Sequence, residues 1–330
     1  GGLDFLKAVA LGYDVGARLT MSLGYLRPDT AKHSTHSLAP AFGAAAAGAA
    51  LLRFDEQRVR YVLSYTSQQA SGIPFWQRDT HHVEKAFDFG GMGARNGVAA
   101  SLMVDAGFSA VDDPFSGKHN LFTAFGEDSN PALLIEELGH RYEIMNASIK
   151  KWCVGSPIQS ILDATTLLVS EHVIQAADVR AVTITMPDDR IHIVDDRTMP
   201  DICAQHLCAI AILDGGIIFE SAHDYARMND PAVRALRTHI TLLPSAELTA
   251  AIPARQAIVE IETTSGTWRH HARAVRGTPD NPMDAAEIEA KAIDLVSPII
   301  GDARARGLVS AVANLETLGS MRELRQFLQA

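Results

Sequence analysis

The chain has 330 residues, 47% hydrophobic and 21% charged, enough for two ordinary domains and a core that needs no disulfide or metal staple. Lys and Arg number 29 against 39 Asp and Glu, a net charge of −10 with no polybasic run, which argues against a phosphate-neutralising face and hence against nucleic acid as a partner. No stretch approaches the roughly 18 uninterrupted apolar residues of a membrane span, so a soluble chain is expected.

The opening Gly1-Gly2-Leu3-Asp4-Phe5 has neither a basic region nor an apolar signal core, which makes the cytoplasm the expected compartment. A first helical signal runs from Leu3 to Leu23, and helical periodicity then dominates to about Ser170, broken by Gly and Pro. Phe42 to Leu52 is rich in alanine, which costs least to order, and predicts a buried helix with close neighbours. Helices are predicted over Glu56 to Ala70 and Arg95 to Ala106, with a turn-rich loop at Asp112-Asp113-Pro114-Phe115-Ser116-Gly117. After about residue 175, Val182, Ile184 and Met186 alternate with Thr183 and Thr185, the two-residue rhythm of a half-buried strand. A helix is predicted at about Ala204 to Leu213. Ala257 to Thr263 and Thr267 to Val275 flank Ser265-Gly266 and read as a hairpin. Helices follow at Ala285 to Ser297 and near Ser320 to Leu328, the latter opened by Ser320 and Glu323 at capping-box spacing. The expected fold is therefore multidomain, a large all-helical domain at 1–148, a smaller α+β domain at 149–312, and a C-terminal helix at 313–330 returning to the helical domain.

Generic motifs are sparse, with no phosphate-binding glycine loop, nucleophile elbow or helical metal-binding histidine pair. His33-Ser34-Thr35-His36 and His81-His82-Val83-Glu84 lack a third ligand at suitable spacing, so no metal is expected. Cys153, Cys203 and Cys208 are too few for a disulfide framework, and Cys203 and Cys208 sit among apolar residues as core positions. Two lysine neighbourhoods stand out. Lys85 lies between Val83 and Phe89 ahead of Gly90-Gly91, whose missing side chains suggest close backbone approach. His140 to Trp152 sets Arg141, Lys150 and Lys151 against Glu143, a local positive balance suited to steering anions.

At these residues the chain resembles the MmgE/PrpD family, which includes 2-methylcitrate dehydratase, cis-aconitate decarboxylase and iminodisuccinate epimerase. The likeness follows the family's order: Leu11 to Arg18 is similar to its glycine, tyrosine and acid helix, Phe42 to Leu52 to its alanine-rich helix, and Lys85, Gly90 and Ala94-Arg95-Asn96-Gly97 to its lysine segment. Lys151-Trp152-Cys153 with Asp163-Ala164 resembles its inter-domain lysine segment, and Arg276 to Met283 its late loop. The resemblance implies a helical domain with an α+β lid, usually in a homodimer, and a cofactor-free site between them for small di- or tricarboxylates. It implies catalytic roles for His36, Lys85, Lys151 and His206, with His33, Arg95, Lys150 and Gln159 binding substrate, His33 and Lys150 being alternatives to His36 and Lys151. Gln159 stands where the family has a histidine, and His206 where it has a lid tyrosine. The family also begins upstream with a helical segment bearing acid and histidine, so the chain is expected to lack the N-terminal part and to be incomplete for catalysis.

Residue types then suggest the chemistry. Removing a proton next to a carboxylate builds negative charge that fixed ammonium groups stabilise, and a histidine near neutrality carries the proton. Loss of a β-hydroxyl, loss of carbon dioxide or return of the proton to the other face gives dehydration, decarboxylation or epimerisation. The expectation is a 2-methylcitrate dehydratase-like lyase or isomerase, with decarboxylase or epimerase activity, or a non-catalytic relative with a structural or ligand-sensing role, as alternatives.

Overall fold

A computed structural model describes residues 1–24, 33–75, 79, 82–126 and 128–329. These fall into two units, one of Gly1–Asn146 with Ala311–Gln329 and the other of Ala147–Ser310.

The first unit is helical. It contains α1 (Gly2–Ser22), α2 (Thr35–Leu51), α3 (Glu56–Gln68), α4 (Val83–Ala86), α5 (Gly93–Asp105) and α6 (Leu121–Phe125), with a π-helical turn at Phe87–Met92 joining α4 to α5. Leu19, Leu23, Leu38, Phe42 and Leu121 form one buried cluster, and Ala45, Ala49, Val62, Ala100 and Val104 another. The alanine-rich α2 packs against both α1 and α5. Small residues allow this. A Cβ on Gly12 would stand 3.1 Å from the Gly43 carbonyl oxygen, and one on Gly16 only 2.4 Å from that of Ala39. The glycines of the Leu11–Arg18 motif thus line the contact with α2. On the far side of α2, a Cβ on Gly97 would lie 2.2 Å from the Ala41 oxygen and 2.7 Å from the Ala45 nitrogen, both backbone atoms that cannot swing aside. Gly97→Ala is therefore expected to destabilise by about 1–3 kcal/mol despite alanine's better helix propensity. At Gly90 a Cβ would meet nothing within 4 Å, so Gly90→Ala should cost nothing, both variants being measured by urea titration. Equal midpoints for the two variants would refute the steric account. Close approach is thus a property of Gly93 and Gly97, and the expectation placed on Gly90 is corrected.

The C-terminal segment belongs to this unit, the Gly2 amide donating to the Leu318 carbonyl at 2.9 Å. The Ser320/Glu323 capping box forms, opening a short 3-10 turn at Met321–Leu324 followed by Arg325–Leu328.

The second unit is α+β. In chain order it has α7 (Gln159–His172), β1 (Val179–Pro187), α8 (Asp188–Val194), α9 (Ala204–Asp214), α10 (Phe219–His223), α11 (Pro231–Arg237), β2 (Ile240–Ser245), α12 (Ala246–Ala250), β3 (Ala257–Thr263), β4 (Thr267–Ala272) and α13 (Ala285–Ile300). A further helix, α14 (Asp302–Ala313), runs out of this unit's last residues. The sheet order is β2-β1-β3-β4, with β1 parallel to β2 and antiparallel to β3. The β3–β4 hairpin turns at Ser265-Gly266, as the sequence predicts. Val182, Ile184 and Met186 are buried with Val259 and Ile261 beneath α7 and α9. β2 escapes sequence reading because Leu243 and Pro244 are exposed on an edge strand, the position where a sheet tolerates proline. Among the described residues no helix is long and apolar enough to cross a membrane.

Candidate functional site

In the helical unit the chemistry gathers around one aromatic ring. The imidazole of His36, in the first turn of α2, stacks on Phe89 with ring centroids 3.8 Å apart and planes within 2° of parallel. The ammonium of Lys85, at the end of α4, lies 5.5 Å from the centroid of that same ring. Phe89 is held there by the π-helical turn, an uncommon wide turn that often marks functional positions. Local polar bonds fix the turn against α2. Ser34 donates its hydroxyl to the buried Asp88 carboxylate, its amide donates to the Gly72 carbonyl at 3.1 Å, and Ser37 donates to the Ser71 carbonyl at 2.7 Å. The Lys85 amide in turn donates to Asp79 at 2.9 Å.

The neighbouring candidates are placed apart from that ring. His33 tilts against Phe125 at 4.7 Å, and Arg95 lies 5.6 Å from the Phe87 centroid while donating to Asn96 Oδ1. Among the described residues, His36 is thus the histidine seen to share an aromatic neighbour with Lys85. Of the His81-His82-Val83-Glu84 run, His81 lies outside the described residues; among the described residues no three His, Cys, Asp or Glu side chains are grouped to hold a metal ion.

In the α+β unit, Lys151 lines a cavity of about 660 Å³ together with Trp152, His270, Arg273 and Arg276. Its ammonium stands 4.7 Å from the Trp152 ring. Trp152 is pinned by its indole N–H to Asp163 at 2.8 Å, and Asp163 accepts the Arg276 amide at 2.9 Å with its other oxygen. Gln159, at 3% exposure, braces the same segment, its amide oxygen accepting from the Trp152 amide at 3.0 Å and its nitrogen donating to the Trp152 and Val154 carbonyls. The late loop joins in. Ile149 donates to the Gly277 carbonyl at 2.7 Å, and a Cβ on Gly277 would collide with the Ile149 oxygen, which is why glycine stands there at φ +93°. Arg276 is committed to Glu287 and Asn281, the guanidinium holding the Glu287 carboxyl down at about 2. Lys150 turns its ammonium to the Val154 carbonyl, so Lys151 is the lysine on the cavity wall.

The positive balance expected at His140 to Trp152 is reduced at Arg141, which is spent on carboxylates. Arg141 is paired with Glu136, Glu137 and Glu143 at 2.9–3.1 Å in the helical unit, while Lys150 and Lys151 lie in the other.

His206 sits in the first turn of α9, wholly buried, and neither ring nitrogen has a hydrogen-bond partner among the described residues. Desolvation first, then the charges of Arg237 and Arg227 against a smaller opposing effect of Asp224, push its pKa down from 6.5 to about 4. It is a neutral imidazole at neutral pH. The unfolded chain takes up a proton between pH 6.5 and 4 that the folded chain refuses, so the folded state loses stability as pH falls through that window. Replacing His206 with Phe should remove this penalty, and the melting temperature of the variant should gain on the wild type between pH 7 and 4.5. Parallel pH profiles would reject it. Cys203 and Cys208 are equally enclosed, and burial pushes the Cys208 thiol up to about 12, leaving it a core side chain.

Chemically, the helical unit sets an imidazole and an ammonium on one aromatic ring, and the α+β unit sets the Lys151 ammonium on a cavity wall with Arg273 and Arg276. Comparison with known proteins places these residues in context. The chain is 25% identical over 353 residues to the cis-aconitate decarboxylase-like protein oryM of Aspergillus oryzae, an alignment covering 98% of this chain and 70% of the relative. The MmgE/PrpD N-terminal domain model matches residues 1–134, which corrects the expectation that this part of the family is missing. The MmgE/PrpD C-terminal domain model matches residues 152–317. With both domains matched in order over most of the chain, the chain belongs to the MmgE/PrpD family.

Proposed function

We propose that the protein is a lyase that acts on a small di- or tricarboxylate by removing a proton next to a carboxylate. The observation that carries the reading is the pairing of His36 and Lys85 on the ring of Phe89. In this reading His36 takes the proton, and the ammonium group of Lys85 stabilises the carboxylate as it gains charge. The electron pair left on carbon then expels a β-hydroxyl as water, with a proton supplied to the leaving oxygen, and a carbon–carbon double bond forms. In the α+β unit, Lys151 and Arg273 share one cavity wall, a pair of cations suited to a carboxylate.

Decarboxylation is the second reading, favoured by the printed name of the Aspergillus oryzae relative. There a carboxylate departs as carbon dioxide and the carbon it leaves takes up a proton. Both readings are tested by incubating the protein in deuterated water with citrate, 2-methylcitrate and cis-aconitate and following the proton spectrum. Dehydration shows as a new alkene, decarboxylation as a product one carbon shorter, and abortive proton removal as deuterium entering the substrate. Absence of all three, together with no thermal shift where a ligand at 100 times its Kd gives about 2.7 kcal/mol, would favour a non-catalytic relative instead.

A further inference from the structure

The α+β unit holds a second basic cleft, of about 900 Å³, built from parts of the chain that the acid–base reading does not use. Arg197 comes from the loop before α9, Arg234 and Arg237 from α11, and Tyr225 and Asn229 from the segment between α10 and α11. Its donors are mostly uncommitted. Among the described residues, the guanidinium groups of Arg197 and Arg234, the Tyr225 hydroxyl and the Asn229 side-chain amide enter no hydrogen bond or ion pair. Arg237 gives one arm of its fork to the solvent-exposed Asp196 at 2.8 Å and keeps its other N–H groups. The wall thus carries three positive charges against one negative.

A second observation points the same way. Four buried side-chain polar atoms lack a partner among the described residues, and three of them belong to residues next in sequence to the cleft lining. They are the two ring nitrogens of His206, next in sequence to the lining residue Gln205, and Nε of Arg227, next to the lining residue Met228. The terminal nitrogens of Arg227 are ion-paired with Asp214 at 2.6 Å and Asp230 at 3.3 Å, so its charge is matched apart from Nε. Arg197, Arg234 and Arg237 gathered against the single Asp196 cost free energy unless something offsets them. An acceptor-only ligand of matching charge does so, and planar guanidinium forks suit carboxylate or phosphate oxygens.

We infer that this cleft is a binding site for a small oxyanion carrying two or more negative charges, a polycarboxylate or a phosphate compound. The site shares no residue with His36, Lys85 or Lys151 and stands whether or not the acid–base reading does.

The test is calorimetric titration of the full chain with citrate and, separately, with pyrophosphate, at constant ionic strength. The double variant Arg197→Gln/Arg234→Gln is expected to weaken binding of the preferred anion at least tenfold, and Arg197→Lys/Arg234→Lys to weaken it by less, since the charge stays and the fork is lost. Both arginines are exposed, so the fold should persist, checked by an unchanged melting temperature without anion. The same titration on Lys151→Met separates the two sites. Anion binding that survives Lys151→Met and falls in the arginine variant supports the cleft, citrate preference marking a polycarboxylate site and pyrophosphate preference a phosphate site. Binding that falls only in Lys151→Met, or no saturable binding of either anion, overturns the inference, even if the enzyme turns over a polycarboxylate.

Discussion

Lys85→Met should lower kcat/KM on the preferred polycarboxylate by about 10²–10³-fold, the loss typical of one fixed donor to a developing oxyanion, with the melting temperature nearly unchanged. The separation of effects follows from where the side chain lies. Lys85 is half-buried, and its ammonium rests over the ring of Phe89 outside the apolar clusters of the helical unit. Methionine keeps the stem and its packing and removes the charge. Lys85→Arg should restore only part of the rate, because a planar fork cannot place its charge where a compact ammonium stood. Phe89→Leu is the informative companion, since it touches neither charge nor imidazole but removes the surface that both rest on. It should raise KM and lower kcat together while leaving the pH dependence of kcat/KM in place, whereas His36→Gln should flatten the limb that reports the base. Normal kinetics in Lys85→Met would remove the helical unit's cluster from the mechanism.

How much of this is legible before folding depends on the range of the interactions. Periodicity finds α1, α2, α3 and α5, and alternation finds β1 and the β3–β4 hairpin, because one buried face imposes a local rhythm. The capping box at Ser320 is local too and is read correctly, although the helix behind it is short. The π-helical turn is not legible, since nothing in Phe87-Asp88-Phe89-Gly90-Gly91-Met92 distinguishes a wide turn from an ordinary one; the Ser34–Asp88 hydrogen bond that ties it to α2 spans 54 residues. The basic cleft is missed for the same reason. Arg197, Arg234 and Arg237 are spread over 41 positions and look like ordinary solvated charges until α9 and α11 bring them together. Gln159 is singled out as a binding residue by its place in the motif, and the structure finds both ends of its amide bonded to the Lys151–Val154 segment, a distinction that spacing alone does not carry.

Arg18→Met should be the most destabilising single substitution in the helical unit, costing about 3–5 kcal/mol, the range for breaking a buried ion pair from one side. Arg18 and Asp14 lie four residues apart on α1, at 1% and 3% exposure, with Nε 2.9 Å from the carboxylate. The pair does more than close on itself. Three of the four remaining guanidinium N–H groups donate to the carbonyls of Leu133, Glu136 and Arg141, and the second oxygen of Asp14 accepts the Glu143 amide at 2.8 Å. Methionine would therefore strand a buried carboxylate and three carbonyl oxygens at once. Asp14→Asn keeps an acceptor for the Glu143 amide but removes the negative charge beside Arg18, so it should cost less. The double variant Asp14→Leu/Arg18→Met removes both charges, and should recover part of the loss, since buried pairs replaced by apolar residues of similar volume are often neutral. Urea titration followed by circular dichroism measures all three. A loss below 1 kcal/mol for Arg18→Met would mean that the 131–146 segment is held by something other than α1. The size of the expected effect gives a physical reason for an Asp and an Arg at this spacing in the Leu11–Arg18 motif, one that is architectural and independent of the chemistry at Phe89.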